Sequence, residues 1–597
     1  MTATLLKRLS IFNFSYLRLW QEAWVYAGAK ERRTIIIYHL MYIMSVSVQL
    51  MQPYLLGRLV NTLQKGGPNL FHDALVLLIL IVLATFGNWA FHGPGRIMER
   101  RAAKSIFIVY TSECYKNLAE LPLNWHQDHH SGATINRIQT SATSLQTFVE
   151  NGFMSFQSLW LLLGSMAMLL WFNPIIGLVS LSGFAFSMLI IVIVNKHFVA
   201  AIHAQNEVSH QANATFYDFV SNMGSIIILR LQKFSEAALR AKLALAMGPW
   251  MRQIVINEWR WFIYSMLNTM MTAIILLGYI KAQVDLHAVV AAGSLVTVYL
   301  YQDKIGNQGS GFISIHSEWL RHLANLSATQ NILEDHAKLV RHHPIAPDQN
   351  WKQLDIRHLL FNYNMDNGDI RTVLQDIGLP IRHGERIALI GDSGAGKSTL
   401  LSLLRALRAP QRGELYVDGK SVPFDTLSEI TTLIPQDPEI FENTIRFNVS
   451  FDLDVPDEQV HQAIRLAEFS PVLVQMPAGL NTDIREKGVN LSVGQKQRLA
   501  LARGIFAAEQ SDIILLDEPT SSVDLPTEER IFNNIFANFE GKTIVATLHR
   551  LHLLSKFDRI VYLSQGHVLS DLPAREALSM PGPIRDIYIT YQQQKLA

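Results

Sequence analysis

Two clusters in the C-terminal part of this 597-residue chain have the residue types and spacing for phosphate chemistry. The first is Gly391-Asp392-Ser393-Gly394-Ala395-Gly396-Lys397-Ser398, which fits G-x-x-x-x-G-K-[ST]. It follows the apolar run Ile387-Ala388-Leu389-Ile390 and precedes Thr399-Leu400-Leu401. In a strand, glycine loop, helix context, backbone N–H groups close on phosphate oxygens and the helix N-terminus adds positive potential. Lys397 then reaches the terminal phosphates and Ser398 suits Mg²⁺. The second cluster ends the apolar run Ile513–Leu516 with Asp517 and Glu518. Asp517 suits Mg²⁺ through water, and Glu518 is placed to poise a water for in-line attack on a terminal phosphate.

The elements that must hold these residues divide sharply. Residues 1–340 carry 25 basic and 17 acidic side chains, net +8, whereas residues 341–597 carry 26 and 33, net −7. Only about 12% of the first part is charged, half the share found in soluble domains, while the second part fits a soluble domain. This excludes a disordered chain, a collagen and a single soluble enzyme. An acidic soluble part also has the wrong sign for a nucleic-acid partner. Cys114 is the single cysteine, so no intrachain disulfide exists and a small buried residue is expected. Residues 1–33 lack a compact apolar stretch with a cleavage site, and read as an amphipathic helix at the inner membrane face rather than a signal peptide.

Charge-free runs locate the membrane segments, since about 20 apolar helical residues cross the hydrocarbon. Such runs lie between Arg33 and Arg58, Asp73 and Arg96, Glu150 and Lys196, Arg260 and Lys281, and Asp285 and Asp303. The third is long enough for two helices, hinged at Asn173-Pro174. Six spans are therefore expected, near 34–57, 74–95, 151–172, 175–195, 261–280 and 286–308. Basic residues concentrate in segments 96–150 and 196–260, which places those segments and both termini in the cytoplasm. Each segment reads as two helices extending beyond the bilayer, with turns near 128–132 and 222–224. About 25 helical residues would project on the order of 37 Å.

Polar residues inside the spans have two readings. Tyr42, Ser45, Gln49 and Gln52 share one helix face, as do Asn88 with His92, and Ser265, Asn268 and Thr272. They could bond between helices or wall a cargo cavity; Asp303-Lys304 has the same ambiguity. Pro53, Gly93-Pro94-Gly95 and the glycines at 306, 309 and 311 suggest bends or hinges. His126, His129 and His130 read as a solvated turn rather than a metal site.

Further motifs give a resemblance to the ATP-binding cassette (ABC) transporter family. Leu491-Ser492-Val493-Gly494-Gln495 resembles its signature, with Val493 where glycine is usual, and Ile434-Pro435-Gln436-Asp437-Pro438 resembles its glutamine loop. Asp517–Asp524 is similar to its acidic strand end plus aspartate loop, His549 to its switch histidine, and Tyr363 to its adenine-stacking aromatic. The resemblance implies an exporter-type half-transporter. Its fold would be an all-α six-helix transmembrane domain (1–335) with long cytoplasmic extensions, a linker (336–350), and an α/β P-loop nucleotide-binding domain (351–597). It implies ATP and Mg²⁺, with Gly391 through Thr399, Tyr363, Ser492, Gly494, Gln495 and Asp524 on the nucleotide. Ser398, Gln436 and Asp517 would serve the metal, and Glu518, His549, Gln436 and Lys397 catalysis. Ser492 and Gly494 would close over ATP on a second cassette, so a second half-transporter is implied, most simply a homodimer. The segments around 126–132 and 218–229 would couple cassette to membrane. The expected function is ATP-driven export of an amphipathic, lipid-like or peptide substrate across a plasma or bacterial inner membrane. Import by the same fold, or an ATP-gated channel or receptor, is the alternative.

Overall fold

The computed structural model describes residues 15–596 apart from 130, 286, 288, 340–350, 365–369 and 486–490. Most of the expected linker, and His130, therefore lie outside the described residues. Two compact units emerge: one holds residues up to 119 together with 131–335, the other holds 120–130 with everything from 336 onward.

Among the described residues, the first unit contains helices and no strand. Its long helices are Ala29–Lys65, Leu70–Ala119, Ser131–Glu150, Gly152–Phe172, Pro174–Ser221, Met247–Asp285 and Ala292–Leu339. Among the described residues, five stretches are long and apolar enough to cross a membrane, where the sequence suggests six. The remaining expected span falls on Ala292–Leu339. There Gln302, Asp303, Lys304, Asn307 and Gln308 dilute the apolar content. The hinge at 173–174 has a local cause. Proline cannot donate, and Asn173 Oδ1 accepts from the N–H groups of Ile175 and Ile176 at 3.0 and 3.2 Å, so one side chain caps the new helix. Segment 196–260 breaks into more pieces than two helices, with Met223–Ile228 and Gln232–Leu245 between the long ones.

Pro53 and Pro94 both sit inside uninterrupted helices. At Gly95 the reason for glycine is packing: a Cβ would meet the Tyr42 ring at 2.9 Å. The polar stripe of the first long helix bonds to its neighbours. Ser45 donates to Asn88 (2.6 Å), Gln52 to Thr85 (3.2 Å), and Gln49 accepts from Gln157 (3.3 Å). These bonds match the interhelical reading. Cys114 is buried.

The break between Ser131–Glu150 and Gly152–Phe172 is held by charge. Glu99 is fully buried; its Oε2 accepts from the Tyr42 hydroxyl at 2.8 Å and from Arg96, and its Oε1 accepts from the Phe153 N–H at 2.8 Å. Arg96 also donates to the Glu150 carbonyl at 2.6 Å and stacks on Phe153. Glu99 thus caps the start of Gly152–Phe172, while Arg96 caps the end of Ser131–Glu150. Both helix ends would otherwise leave backbone groups unpaired.

The second unit contains two sheets. A four-stranded antiparallel sheet has the order β2-β1-β4-β5, from β1 (Gln353–Asn364), β2 (Ile370–Arg382), β4 (Arg412–Val417) and β5 (Lys420–Val422). A six-stranded sheet has the order β10-β9-β3-β8-β7-β6, from β3 (Arg386–Gly391), β6 (Thr431–Ile434), β7 (Ile513–Asp517), β8 (Thr543–Thr547), β9 (Arg559–Ser564) and β10 (His567–Pro573). Strands β9, β3, β8, β7 and β6 run parallel. Strands β7 and β8 are buried at every position, as a sheet covered on both faces requires.

Removing one partner of a buried pair leaves the other uncompensated, at a cost of ~3–5 kcal/mol. Glu99→Ala should therefore lower the melting midpoint of the detergent-solubilised protein by several degrees. An unchanged midpoint would show that the pair adds no net stability.

Candidate nucleotide site

The parallel sheet ends its strands β3, β7 and β8 on one edge, and the chemistry collects there. Beyond β3 the chain makes the glycine loop, with Gly394 and Gly396 at φ of 80° and 104°, left-handed values that a side chain resists. The helix Lys397–Leu404 starts directly after it. Lys397 folds back and donates from Nζ to the carbonyls of Gly391 (2.8 Å) and Asp392 (3.1 Å). A cavity of about 570 Å³ opens at this edge, lined by the glycine loop, Lys397, Ser398, Thr399, Tyr363, Gln436, Glu518 and His549. Residues from five separate stretches of sequence thus meet in one concave surface.

Glu518 is the most constrained of them. Its side chain is 8% exposed; Gln436 Nε2 donates to one carboxylate oxygen at 3.0 Å and His549 Nε2 lies 2.8 Å from the other. Its backbone sits at φ 46°, a conformation that costs a glutamate on the order of 1 kcal/mol. Two bonds hold it there. The Glu518 N–H donates to Thr547 Oγ1 at 2.9 Å, and its carbonyl accepts from Gln497 at 3.3 Å. The Thr547 hydroxyl in turn donates to Asp517 Oδ1 at 2.8 Å. Thr547 therefore sets both carboxylates, and it is fully buried. Sequence reasoning assigned it no role; the signal available was a threonine ending a buried strand two residues before His549.

Ser398, Gln436 and Asp517 offer hard oxygen donors, the kind Mg²⁺ takes. With Gln436 Nε2 committed to Glu518, the amide oxygen is left for a cation. Tyr363 lies at the cavity wall, with its hydroxyl 3.4 Å from Thr399 Oγ1 and the Arg408 guanidinium 4.9 Å from its ring centre. Arg408 also donates to Gln127 at 2.5 Å. Gln127 belongs to the short helix Leu123–Asp128, which folds with this unit.

Asp517 lies behind Glu518 and is not among the residues lining the cavity, and the signature and aspartate-loop residues stand away from it. Ser492 and Gln495 form a reciprocal capping box, with Ser492 Oγ accepting at 3.3 Å and Gln495 Oε1 at 2.8 Å, at the start of the helix Val493–Ala507. A Cβ on Gly494 would meet the Ser522 carbonyl at 2.8 Å, which explains glycine at that position. Val493, by contrast, is 64% exposed, so the departure from the usual glycine causes no clash within this chain. Asp524 accepts from the Thr527 N–H at 3.1 Å and caps the helix Leu525–Asn538, and that bond holds its carboxyl below the usual range. Gln497, which the sequence places in the helix after the signature without a role of its own, bonds Ser521 (3.0 Å) and the Ser522 N–H (2.8 Å), tying the signature helix to the segment after Glu518.

Thr547→Val keeps the shape of the strand end and removes both hydroxyl bonds. A hydrogen bond to a charged group is worth about 1.5–3 kcal/mol, so ATPase activity should fall roughly tenfold or more. Folding should be retained by thermal melting. Activity within twofold of wild type would show that Thr547 does not set the carboxylates.

Comparison with known proteins agrees with this geometry. Residues 374–521 match the family model described as ABC transporter, and residues 35–302 match that of the ABC transporter transmembrane region. Antigen peptide transporter 2 of Rattus norvegicus is 23% identical over 570 residues, 94% of this chain and 78% of that protein. The mitochondrial iron-sulfur clusters transporter ABCB7 of Oryzias latipes is 35% identical over 216 residues, 36% of this chain and 29% of its own length. The ATP-dependent lipid A-core flippase of Burkholderia pseudomallei is 33% identical over 244 residues, 40% of each chain. The last two matches therefore span less than half of those relatives. A solved structure of a bacterial Atm1-family ABC exporter with ATP bound shares the fold, at a TM-score of 0.79 and 20% identity over 94% of this chain and 99% of that one. A helical transmembrane region and an ATPase cassette joined in one polypeptide make this chain a member of the ABC transporter family, with the half-transporter layout of its exporters.

Proposed function

We propose that the chain exports an amphipathic, lipid-like or peptide substrate, driven by ATP hydrolysis, as a dimer of two copies. The observation that carries the reading is the Glu518 carboxylate held between Gln436 and His549 at the mouth of the glycine-loop cavity. In this reading the backbone N–H groups of Gly391 through Thr399 and the Lys397 ammonium bind the phosphates. Tyr363 stacks on the adenine. Ser398, Gln436 and Asp517 hold Mg²⁺, which when bound neutralises charge on the phosphates. Glu518 accepts a proton from water as its oxygen attacks the terminal phosphorus and the bond to ADP breaks. His549 orients Glu518 and contacts the terminal phosphate.

Ser492, Gly494, Gln495 and Asp524 then serve the composite site. The exposed Val493 and the capped start of its helix give a surface for the nucleotide on a second cassette. ATP bound between two cassettes favours the closed pair through contacts absent when they are apart, and hydrolysis removes them. The cytoplasmic helical segments, with both termini on the same side, carry that change to the membrane.

In liposomes, Glu518→Gln should bind ATP and accumulate closed dimers while hydrolysis drops at least a hundredfold. Near-normal turnover would remove Glu518 as the base. Tyr363→Ala should raise the KM for ATP severalfold with little effect on kcat; a change confined to kcat would refute stacking.

A further inference from the structure

In the helical unit, a groove of about 740 Å³ runs between the helices Pro174–Ser221 and Met247–Asp285. Its walls follow helical spacing. His197, Ala201 and Ala204 share one face, and Arg252, Ile256 and Trp259 share the facing one. Alanines on one side and Gly248-Pro249 on the other leave the space open.

Three properties point to one kind of occupant. The groove starts where the charge-free runs end, at Lys196 and Arg260, so its upper end lies at the membrane surface. Its described lining holds two nitrogen-bearing side chains that suit an anion, His197 and Arg252, and no carboxylate. Neither forms a hydrogen bond or ion pair with another described residue, and Arg252 is exposed. The remainder of the lining is apolar, and Trp259, 60% exposed, stands at the mouth, where indole rings settle at the headgroup level. Beside the groove, Arg260 is buried, stacked 4.1 Å from the Phe198 ring centre and bonded to Asn257 at 2.8 Å, so it braces the wall.

We propose that this groove binds the headgroup of an acidic phospholipid, the phosphate between Arg252 and His197 and the apolar part along Val194, Ile256 and Trp259. Basic pockets between membrane helices on the cytoplasmic side recognise anionic headgroups in this way. A soluble phosphate would gain nothing from the apolar wall or the indole, which favours a lipid. The site is separate from the nucleotide cavity and does not depend on the identity of the cargo.

The test is lipid retention by the full-length protein, purified after exposure to vesicles of phosphatidylcholine with 30% phosphatidylglycerol (about a third acidic) and read by native mass spectrometry. Wild type should keep phosphatidylglycerol in preference to phosphatidylcholine. Arg252→Glu should lose that preference by roughly tenfold, His197→Gln by less, and Arg240→Glu, on a different helix, not at all. Millimolar glycerol 3-phosphate should leave the retained lipid in place. Unchanged preference in the Arg252→Glu/His197→Gln double variant would overturn the proposal, as would displacement by glycerol phosphate. Labelling of Ala204→Cys, an exposed position in the groove lining, gives a further check: phosphatidylglycerol should protect it and phosphatidylcholine should not. Protection regardless of lipid would mean that a second copy covers the groove, and would also overturn the proposal.

Discussion

The Thr547 hydroxyl bridges two neighbouring parallel strands at the edge where the chemistry gathers. It accepts from the Glu518 N–H and donates to the Asp517 carboxylate, and it can do both only because β7 and β8 end in register, Asp517 opposite Thr547. Asp517 is buried and carries one of its bonds from inside the sheet; Glu518, one residue later, turns through a left-handed conformation toward the cavity. Two adjacent carboxylates thus acquire different surroundings, one fixed by the sheet and the other reached by Gln436 and His549. The sheet's parallel order is what brings the glycine loop, following β3, to the same edge. Ligand sites in open parallel sheets form at the carboxyl ends of strands for this reason.

The helical unit meets a related demand by another route. A helix that stops leaves unpaired carbonyls, one that starts leaves unpaired N–H groups, and neither is tolerable where water is scarce. Residues 150–153 contain both, and a single turn of the neighbouring helix supplies both remedies, Arg96 for the carbonyl and Glu99 for the N–H. The two charges also neutralise each other, with the Tyr42 hydroxyl donating to the same carboxylate oxygen as Arg96. Burial of an ion pair is expensive unless its other bonds are made. Here they are made to backbone and to the Tyr42 hydroxyl, so the elbow between two helices is fixed by residues on a third.

Much of the cassette was legible in the sequence because its motifs are local. Glycine loop, acidic strand end and signature each depend on residues within a few positions, and Tyr363, Gln436, Glu518 and His549 meet in one cavity. Thr547 and Gln497 were not legible as functional, since their meaning lies in partners 20 to 30 residues away. In the helical unit, charge-free runs located apolar stretches, but a run interrupted by Gln302, Asp303 and Lys304 falls between a span and a polar helix. The sequence also could not say that Arg96 and Glu99 act on the same break, because helical spacing shows only that they lie one turn apart.

The helix Leu123–Asp128 sits in the middle of the membrane region's sequence yet folds with the cassette, where Gln127 accepts from Arg408 and Trp125 is buried. Continuity along the chain and membership of a folding unit therefore disagree at this point. A cassette excised at residue 336 would carry its full catalytic complement and still lack a piece of its own surface. Arg408 would lose its amide partner while still lying over Tyr363. The smallest fragment that preserves the surroundings of Tyr363 is a non-contiguous one, two stretches of polypeptide rather than one.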